Sequence, residues 1–551
     1  MASLSGAAAF LGVAVAAVSA IRVRQKSKPS PLEGVNLKAA LGVVSTRASD
    51  AGGGWTPVAA SDEAAAVEDA RVDRMESADD VVTYDVPHVQ EWPYFGEGDS
   101  GSGPFRNPLM GKQWTGTSLF VGENEAIVTP TMLNTHRGAP PPVRRRFLVA
   151  GPYERVRWRP SEVRAAIVTC GGLCPGLNTV IRELVMCLAY SYGVRKIWGV
   201  PNGFRGTYEN AYIELLPRTV SSIHMRGGTV LGTSRGGFNV DKILAGLERY
   251  GINQLYVIGG DGSHRGALSI FKGAIENKVK LAVVAVPKTI DNDIPIIDKS
   301  FGFDTAVEQA VRPINCAHTE ALAAHNGIGI VKLMGRHAGF IAVNASLAAR
   351  DVNVCLIPEE PFSCRLLCEH LVTRLKSSNH AVIVIAEGAQ ISRTDMQECG
   401  AIDAAASAAK PPKTDESGNP VLDDVGAFLR TYIAWYFKRI GVETNIKYID
   451  PTYMIRSVPA NASDSLLCSD LAFAAVHGAF AGYTGFTVGQ VAGQTVWIPI
   501  SAVAQSRTCR VSTKSRLYAR LLGSTGQPSY APAAAESPAD ALGDLLDWAR
   551  P

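Results

Sequence analysis

The sequence predicts an α/β fold of doubly wound, largely parallel sheets, and three observations predict it. Apolar runs at 165–169, 255–258, 281–286, 327–333 and 382–386 are continuous rather than alternating, as strands covered on both faces are. Each run delivers a turn rich in glycine or charge: Gly171-Gly172, Gly259-Gly260-Asp261-Gly262, Thr289 to Asp293, Met334-Gly335-Arg336 and Glu387. Apolar residues at helical spacing accompany them, as at 241–250 and 305–324. Open α/β sheets bind ligands beyond the carboxyl ends of their strands, so these turns are the candidate site.

The 551 residues, 46% hydrophobic and 19% charged, allow two or three domains with sizeable cores. A formal net charge of +3, with no dense Lys/Arg tract, gives no basis for a nucleic-acid partner and points to small molecules. Ten cysteines lie scattered without a CxxC pair, Cys170/Cys174 and Cys364/Cys368 being the nearest, and are expected reduced and mostly buried.

At the amino end, residues 7–21 form an alanine-rich apolar run too short to span a bilayer comfortably, followed by Arg22, Arg24, Lys26 and Lys28. With Glu33 the sole acid before Asp50, the segment is expected to be a targeting address, first of all for a plastid, the alternative being the tail of a cytoplasmic enzyme. Residues 50–110 are rich in Ala, Gly, Pro and acids and are expected to be mostly linker. The basic stretch 144–159 then leads to the 165–169 run, expected as the first strand.

That strand ends in Cys170-Gly-Gly-Leu-Cys-Pro-Gly-Leu-Asn178 before a helix from Thr179, a phosphate-binding context. The loop 226–236 follows, carrying Arg235, and then a helix over 241–250. The 255–258 strand feeds Gly259-Gly-Asp-Gly-Ser-His-Arg-Gly-Ala267, where backbone amides at a helix amino end can meet phosphate oxygens. Asp261 would repel phosphates unless a divalent cation stood between them. A purely structural glycine turn accounts for this motif taken alone.

The 281–286 strand opens onto the central stretch 286–304, V-P-K-T-I-D-N-D-I-P-I-I-D-K-S-F-G-F-D, in which Pro287 and Pro295 limit any helix. Thr289, Asp291 and Asp293 put a hydroxyl and two carboxylates together; the plainer alternative is Asp residues capping a turn. Further on, Arg336 follows the 327–333 run at its carboxyl end, where a guanidinium can meet an anionic ligand. Residues 390–419 read as a loop insertion before a helix at 421–440, and 464–485 as a long apolar helix.

GGDGS, PKTIDND, Lys332-Leu-Met-Gly-Arg-His-Ala-Gly339, Ile385-Ala-Glu-Gly388 and Asp450-Pro-Thr-Tyr-Met-Ile-Arg456, in that order, resemble 6-phosphofructokinase, most closely its plant-type ATP-dependent branch, from about 160 to about 530. The resemblance implies two Rossmann-like lobes with the active site in the cleft between them. Residues 1–80 would be targeting segment and linker, and 81–160 an amino-terminal extension. A nucleotide lobe would span 161–302, with 456–506 returning to it. A sugar-phosphate lobe would span 303–455, with 507–530, before a tail at 531–551.

The resemblance also assigns roles. Asp291 is the implied base, with Thr289 and Arg336 completing the catalytic set. Gly172, Arg235, Gly260, Asp261, Gly262 and Ser263 meet MgATP, with Asp261 on the magnesium and Asp293 helping. Thr289, Ile290, Asp291, Asp293, Met334, Gly335, Arg336, Glu387, Lys447, Tyr453, Met454, Ile455 and Arg456 meet fructose 6-phosphate. The implied partners are those two substrates and further copies of the chain, as dimer or tetramer, with no nucleic acid and no membrane in the mature form.

Three departures matter. Bacterial members carry an arginine at the position of Gly327, and Arg and His at those of Lys447 and Tyr453. Pyrophosphate-dependent relatives carry Asp at the position of Gly262 and Lys at that of Lys288, whereas bacterial ATP enzymes have glycine at both. Gly262 leaves room for the α-phosphate of ATP, which favours ATP; a pyrophosphate-dependent enzyme and a noncatalytic sugar-phosphate-binding subunit are the alternatives. An NAD or lipid kinase would share the GGDG turn but not the later motifs, and no dinucleotide fingerprint follows a strand.

Overall fold

Within residues 164–499 the apolar runs form parallel strands, and their pairing separates them into two sheets. The computed structural model describes residues 81–95, 104–112, 119–129, 144–234, 236–391, 422 and 424–531. The larger sheet runs Val81–Thr83, Arg144–Val149, Gln494–Pro499, Phe486–Val491, Ala282–Pro287, Gln254–Gly259, Arg164–Thr169, Lys196–Val200, Ile213–Glu214, with Ala126–Thr129 beside Arg144–Val149. Its centre, from Phe486–Val491 to Lys196–Val200, is parallel. The smaller sheet, Val354–Leu356, His380–Ala386, Gly327–Leu333, Asn445–Ile449, is parallel throughout.

Alternate residues of each strand enter different cores, which is what makes the runs continuous. Ala165 and Ile167 pack on one face of the larger sheet against the Leu177–Met186 and Ala462–Ala481 helices, while Ala166 and Val168 pack on the other with Ile243, Leu247 and Ile270. The smaller sheet splits Ile328 and Ile330 from Val331 and Leu333 in the same way. Each such fully buried aliphatic side chain is worth roughly 1.5–3 kcal/mol, so the two sheets are the stable frame on which the turns stand. Two lobes of Rossmann-like, doubly wound character result, and helices start where the apolar spacing puts them, at Val240–Arg249 and Phe303–Leu322.

The expectation of linker as far as residue 110 fails from residue 81. Val81–Thr83 pairs in parallel with Arg144–Arg146, so among the described residues three strands of the larger sheet, and the separate pair Phe105–Arg106 and Arg155–Val156, precede the one expected to be first. The reason is tertiary: Gln494–Pro499 returns antiparallel and leaves an edge that Leu148 and Val149 complete. The later helices begin and end at caps that periodicity misplaced, Asp424 opening Val425–Arg439 and Asn461 opening Ala462–Ala481. The targeting segment, the insertion and the tail beyond 531 lie outside the described residues. No helix among the described residues is long and apolar enough to cross a membrane. Of the described cysteines Cys316 and Cys509 are exposed and the rest buried.

Candidate active site

Every turn singled out in the sequence leaves the carboxyl end of a strand. Pro287 ends its strand, and between it and the Phe303–Leu322 helix the chain forms no helix. The loop instead folds on its own polar groups. Thr289 Oγ1 donates to Asp293 Oδ1 at 2.7 Å and accepts from the Asp291 amide at 3.2 Å. Ser300, fully buried, donates to the Thr289 carbonyl at 2.7 Å and accepts from the Thr289 amide at 3.0 Å. Ile296 holds φ 79°, a costly conformation for a β-branched residue, and packs beside Ile294, Val496 and Ile498.

This bracing aims Asp291 at the other lobe. Its Oδ2 accepts from the Arg336 amide at 3.4 Å, while Oδ1 is buried without a hydrogen-bond partner among the described residues. Burial first, then the charges of Asp293 and Glu387, push this carboxyl up to about 7 against the pull of Arg336. A carboxyl so placed can take a proton near neutral pH, which is what a general base requires and what a turn cap does not.

The smaller lobe supplies cations around that acid. Met334-Gly335-Arg336 follows Leu333, and Glu387 follows Ala386, whose strand is the neighbour. Gly388 is forced, because a Cβ there would lie 1.9 Å from the Arg336 carbonyl oxygen. Burial raises the Glu387 carboxyl, opposed by Arg336, Lys332 and Arg456. Arg456 lies over the Tyr453 ring at 5.0 Å, and its buried Nε has no partner among the described residues. Tyr453 and Met454 are exposed on that short helix, and Ile455 is the buried residue that anchors it.

The larger lobe supplies the anion cradle. Gly260 caps the Asp261–Glu276 helix, with Ser263 in its first turn, and a Cβ built on Gly262 meets nothing within 4 Å. Lys288, buried, donates to the Gly172 carbonyl at 2.8 Å and so ties the first glycine turn to the catalytic loop. Asp261 is exposed and 2.9 Å from Arg265. Magnesium takes one or two carboxylates plus phosphate oxygens and water rather than a full protein cage, a need that Asp261 fits. Among the described residues no three His, Cys, Asp or Glu side chains gather into such a cage.

Not every expected residue joins the group. Arg235 lies outside the described residues. Lys447 sits in mid-strand opposite Gly329, its ammonium 3.7 Å from Glu320, because its register leaves it short of the carboxyl edge where Arg456 stands. Gly327 is likewise at the far end of its strand, and a Cβ there would meet the Ala321 carbonyl oxygen at 2.0 Å, so no arginine fits. Two contributors were missed. Lys332 bonds Asp450 at 2.8 Å and Asp424 at 3.2 Å; burial lowers its ammonium, but those bonds hold it above the usual range. A lysine inside an apolar strand was the available signal. Ser300 is the other, and nothing in its spacing marks it.

The phosphofructokinase family profile matches residues 164–479, which take in the strands Arg164–Thr169, Lys196–Val200, Gln254–Gly259 and Ala282–Pro287 of the larger sheet, the whole of the smaller sheet and each of these turns. The chain belongs to the phosphofructokinase family. It is 48% identical to the Arabidopsis thaliana protein named ATP-dependent 6-phosphofructokinase 1 over 449 residues, 80% of this chain and 91% of that one. It is also 48% identical, over 83% of each chain, to ATP-dependent 6-phosphofructokinase 4, chloroplastic, of Arabidopsis thaliana. Its fold is shared with the crystal structure of the pyrophosphate-dependent phosphofructokinase of Nitrosospira multiformis, at a TM-score of 0.55 and 18% identity over 70% of this chain and 96% of that one.

Proposed function

We infer that this phosphofructokinase transfers the γ-phosphoryl group of MgATP to the carbon-one hydroxyl of D-fructose 6-phosphate, giving fructose 1,6-bisphosphate. The observation that carries the chemistry is Asp291, a buried carboxylate with a free oxygen and a raised proton affinity between two lobes that supply cations. The relatives' ATP-dependent names support the donor, and so does the open face at Gly262.

Phosphoryl transfer asks for positioning and charge neutralisation more than covalent chemistry. Asp291 accepts the hydroxyl proton as that oxygen attacks the γ-phosphorus in line. Thr289, held by Asp293, orients the acceptor. Arg336 meets charge on the equatorial oxygens, with the backbone around Gly172, Gly260 and Gly262 and, on the resemblance, Arg235. Glu387 accepts sugar hydroxyls, and Arg456 with Tyr453 holds the 6-phosphate. Asp261 holds magnesium, which neutralises phosphate charge when bound. Lys288, turned onto Gly172, supports the phosphate turn in an ATP enzyme.

Assaying the purified protein with fructose 6-phosphate and either MgATP or magnesium pyrophosphate tests this: bisphosphate formation is expected with ATP alone. Turnover with pyrophosphate alone would overturn the donor, and turnover with neither would leave a sugar-phosphate-binding subunit. The chain is taken to act as a homo-oligomer, dimer or tetramer, for which light scattering is the check. A plastid address is also proposed, on the amino-terminal composition and the chloroplastic relative. A fluorescent fusion of residues 1–80 should leave the cytosol for plastids, and a cytosolic fusion would remove that address.

A further inference from the structure

Beyond the Ile500–Gln505 helix the chain crosses back to the catalytic loop as a basic strap in which Arg507, Arg510, Lys514 and Arg516 are all exposed. Two backbone bonds fix it on either side of one residue. The Cys509 amide donates to the Asp293 carbonyl at 2.8 Å, and the Val511 amide donates to Glu359 Oε1 at 2.8 Å. Glu359 also accepts from the Gly339 amide at 3.0 Å, so it joins the strap to the turn that carries Arg336 and His337. Arg510 therefore stands between the loop bearing the base and the loop bearing the phosphoryl-facing arginine. Its guanidinium makes no ion pair among the described residues.

The surroundings say which end of the substrate it faces. The cations felt by Glu387 are Arg336, Lys332 and Arg456, with Asp450 as the opposing charge, whereas His337 feels Arg336, Asp293 and Arg510. Arg456 thus belongs with the sugar acceptor Glu387, whereas Arg510 follows the residue bonded to the backbone of Asp293, whose carboxylate holds Thr289. We propose that Arg510 is a further phosphoryl-binding residue, placing a guanidinium on the group in flight and on the 1-phosphate of the product rather than on the sugar 6-phosphate. The assignment rests on the phosphoryl-transfer reading given above. A planar guanidinium suits three equatorial phosphate oxygens, and its charge counts most where that group gathers negative charge. The strap is anchored by the Cys509 and Val511 amides and by the buried Val511 side chain, so the exposed Arg510 side chain can be removed without touching its fold.

Steady-state kinetics of the full chain, wild type beside Arg510→Ala, Arg510→Lys and a strap control, Arg507→Ala with Lys514→Ala, is the test. Arg510→Ala should lose about 10- to 100-fold in kcat, with KM for fructose 6-phosphate within about threefold. Arg510→Lys should recover part of kcat, and the control should match wild type. A kcat for Arg510→Ala within about twofold of wild type overturns the inference. So does a raised KM for the sugar at unchanged kcat, which would place Arg510 on the 6-phosphate, and so does an equal loss in the control, which would make the strap a general charge. A wild type inactive with ATP would instead bring down the transfer reading beneath it.

Discussion

Asp261 follows the Gln254–Gly259 strand and Asp291 the neighbouring Ala282–Pro287 strand, so two aspartates stand at adjacent carboxyl ends of one sheet. Asp261 opens a helix in the open and holds Arg265 at 2.9 Å. Asp291 sits in a loop braced by Thr289 and Ser300, with one oxygen buried and unpartnered. The residue type is shared, and environment divides the work. An exposed carboxylate is open to a cation that arrives with phosphate, whereas a desolvated one becomes a place where a proton can reside near neutrality.

The most severe way to break this comparison is Asp291→Asn, which keeps shape and removes the base. Its kcat is expected to fall by about two to four orders of magnitude with a modest change in KM, read by steady-state kinetics. Near-normal kcat in the folded variant would reduce Asp291 to the turn cap that Asp residues commonly are. In the wild type, kcat/KM should rise with pH through about 7 as the free enzyme's Asp291 loses its proton.

Gly262→Asp sharpens the Asp261 side. Because a Cβ meets nothing there, the fold should tolerate the substitution, while a new negative charge faces the donor. KM for ATP should rise about tenfold or more, and KM for fructose 6-phosphate should move by less than about threefold. An equal loss for both substrates would mean that the turn serves folding rather than donor choice.

The smallest effect is on stability. Asp291 binds its proton more tightly folded than unfolded, at about 7 against an ordinary 3.8, so ionising it costs stability progressively as pH rises across that window. Asp291→Asn escapes that cost. Its Tm should exceed the wild type's at pH 8 and the difference should close towards pH 4; a gain independent of pH would point to packing instead of charge.

The turns that carry chemistry were legible because each is short, local and tied to a strand end: glycines where backbone meets phosphate, acids and an arginine after continuous apolar runs. Continuous apolar runs also marked five central strands, three of one sheet and two of the other, since burial on two faces leaves its mark in each of them. What the sequence could not give was anything set by contacts far apart along the chain. Val81–Thr83 reads as linker because its partner, Arg144–Arg146, lies some sixty residues on. The proton affinity of Asp291 depends on Glu387 and Arg336 from the other lobe, and Lys447 is held by strand register beside Glu320 rather than with Arg456. By itself the sequence determined the strand-and-turn units and the chemical groups at their ends. Only the tertiary structure decided which groups are dry, which are paired and which lie across the cleft from one another, because desolvation and Coulomb forces act through space and not along the chain.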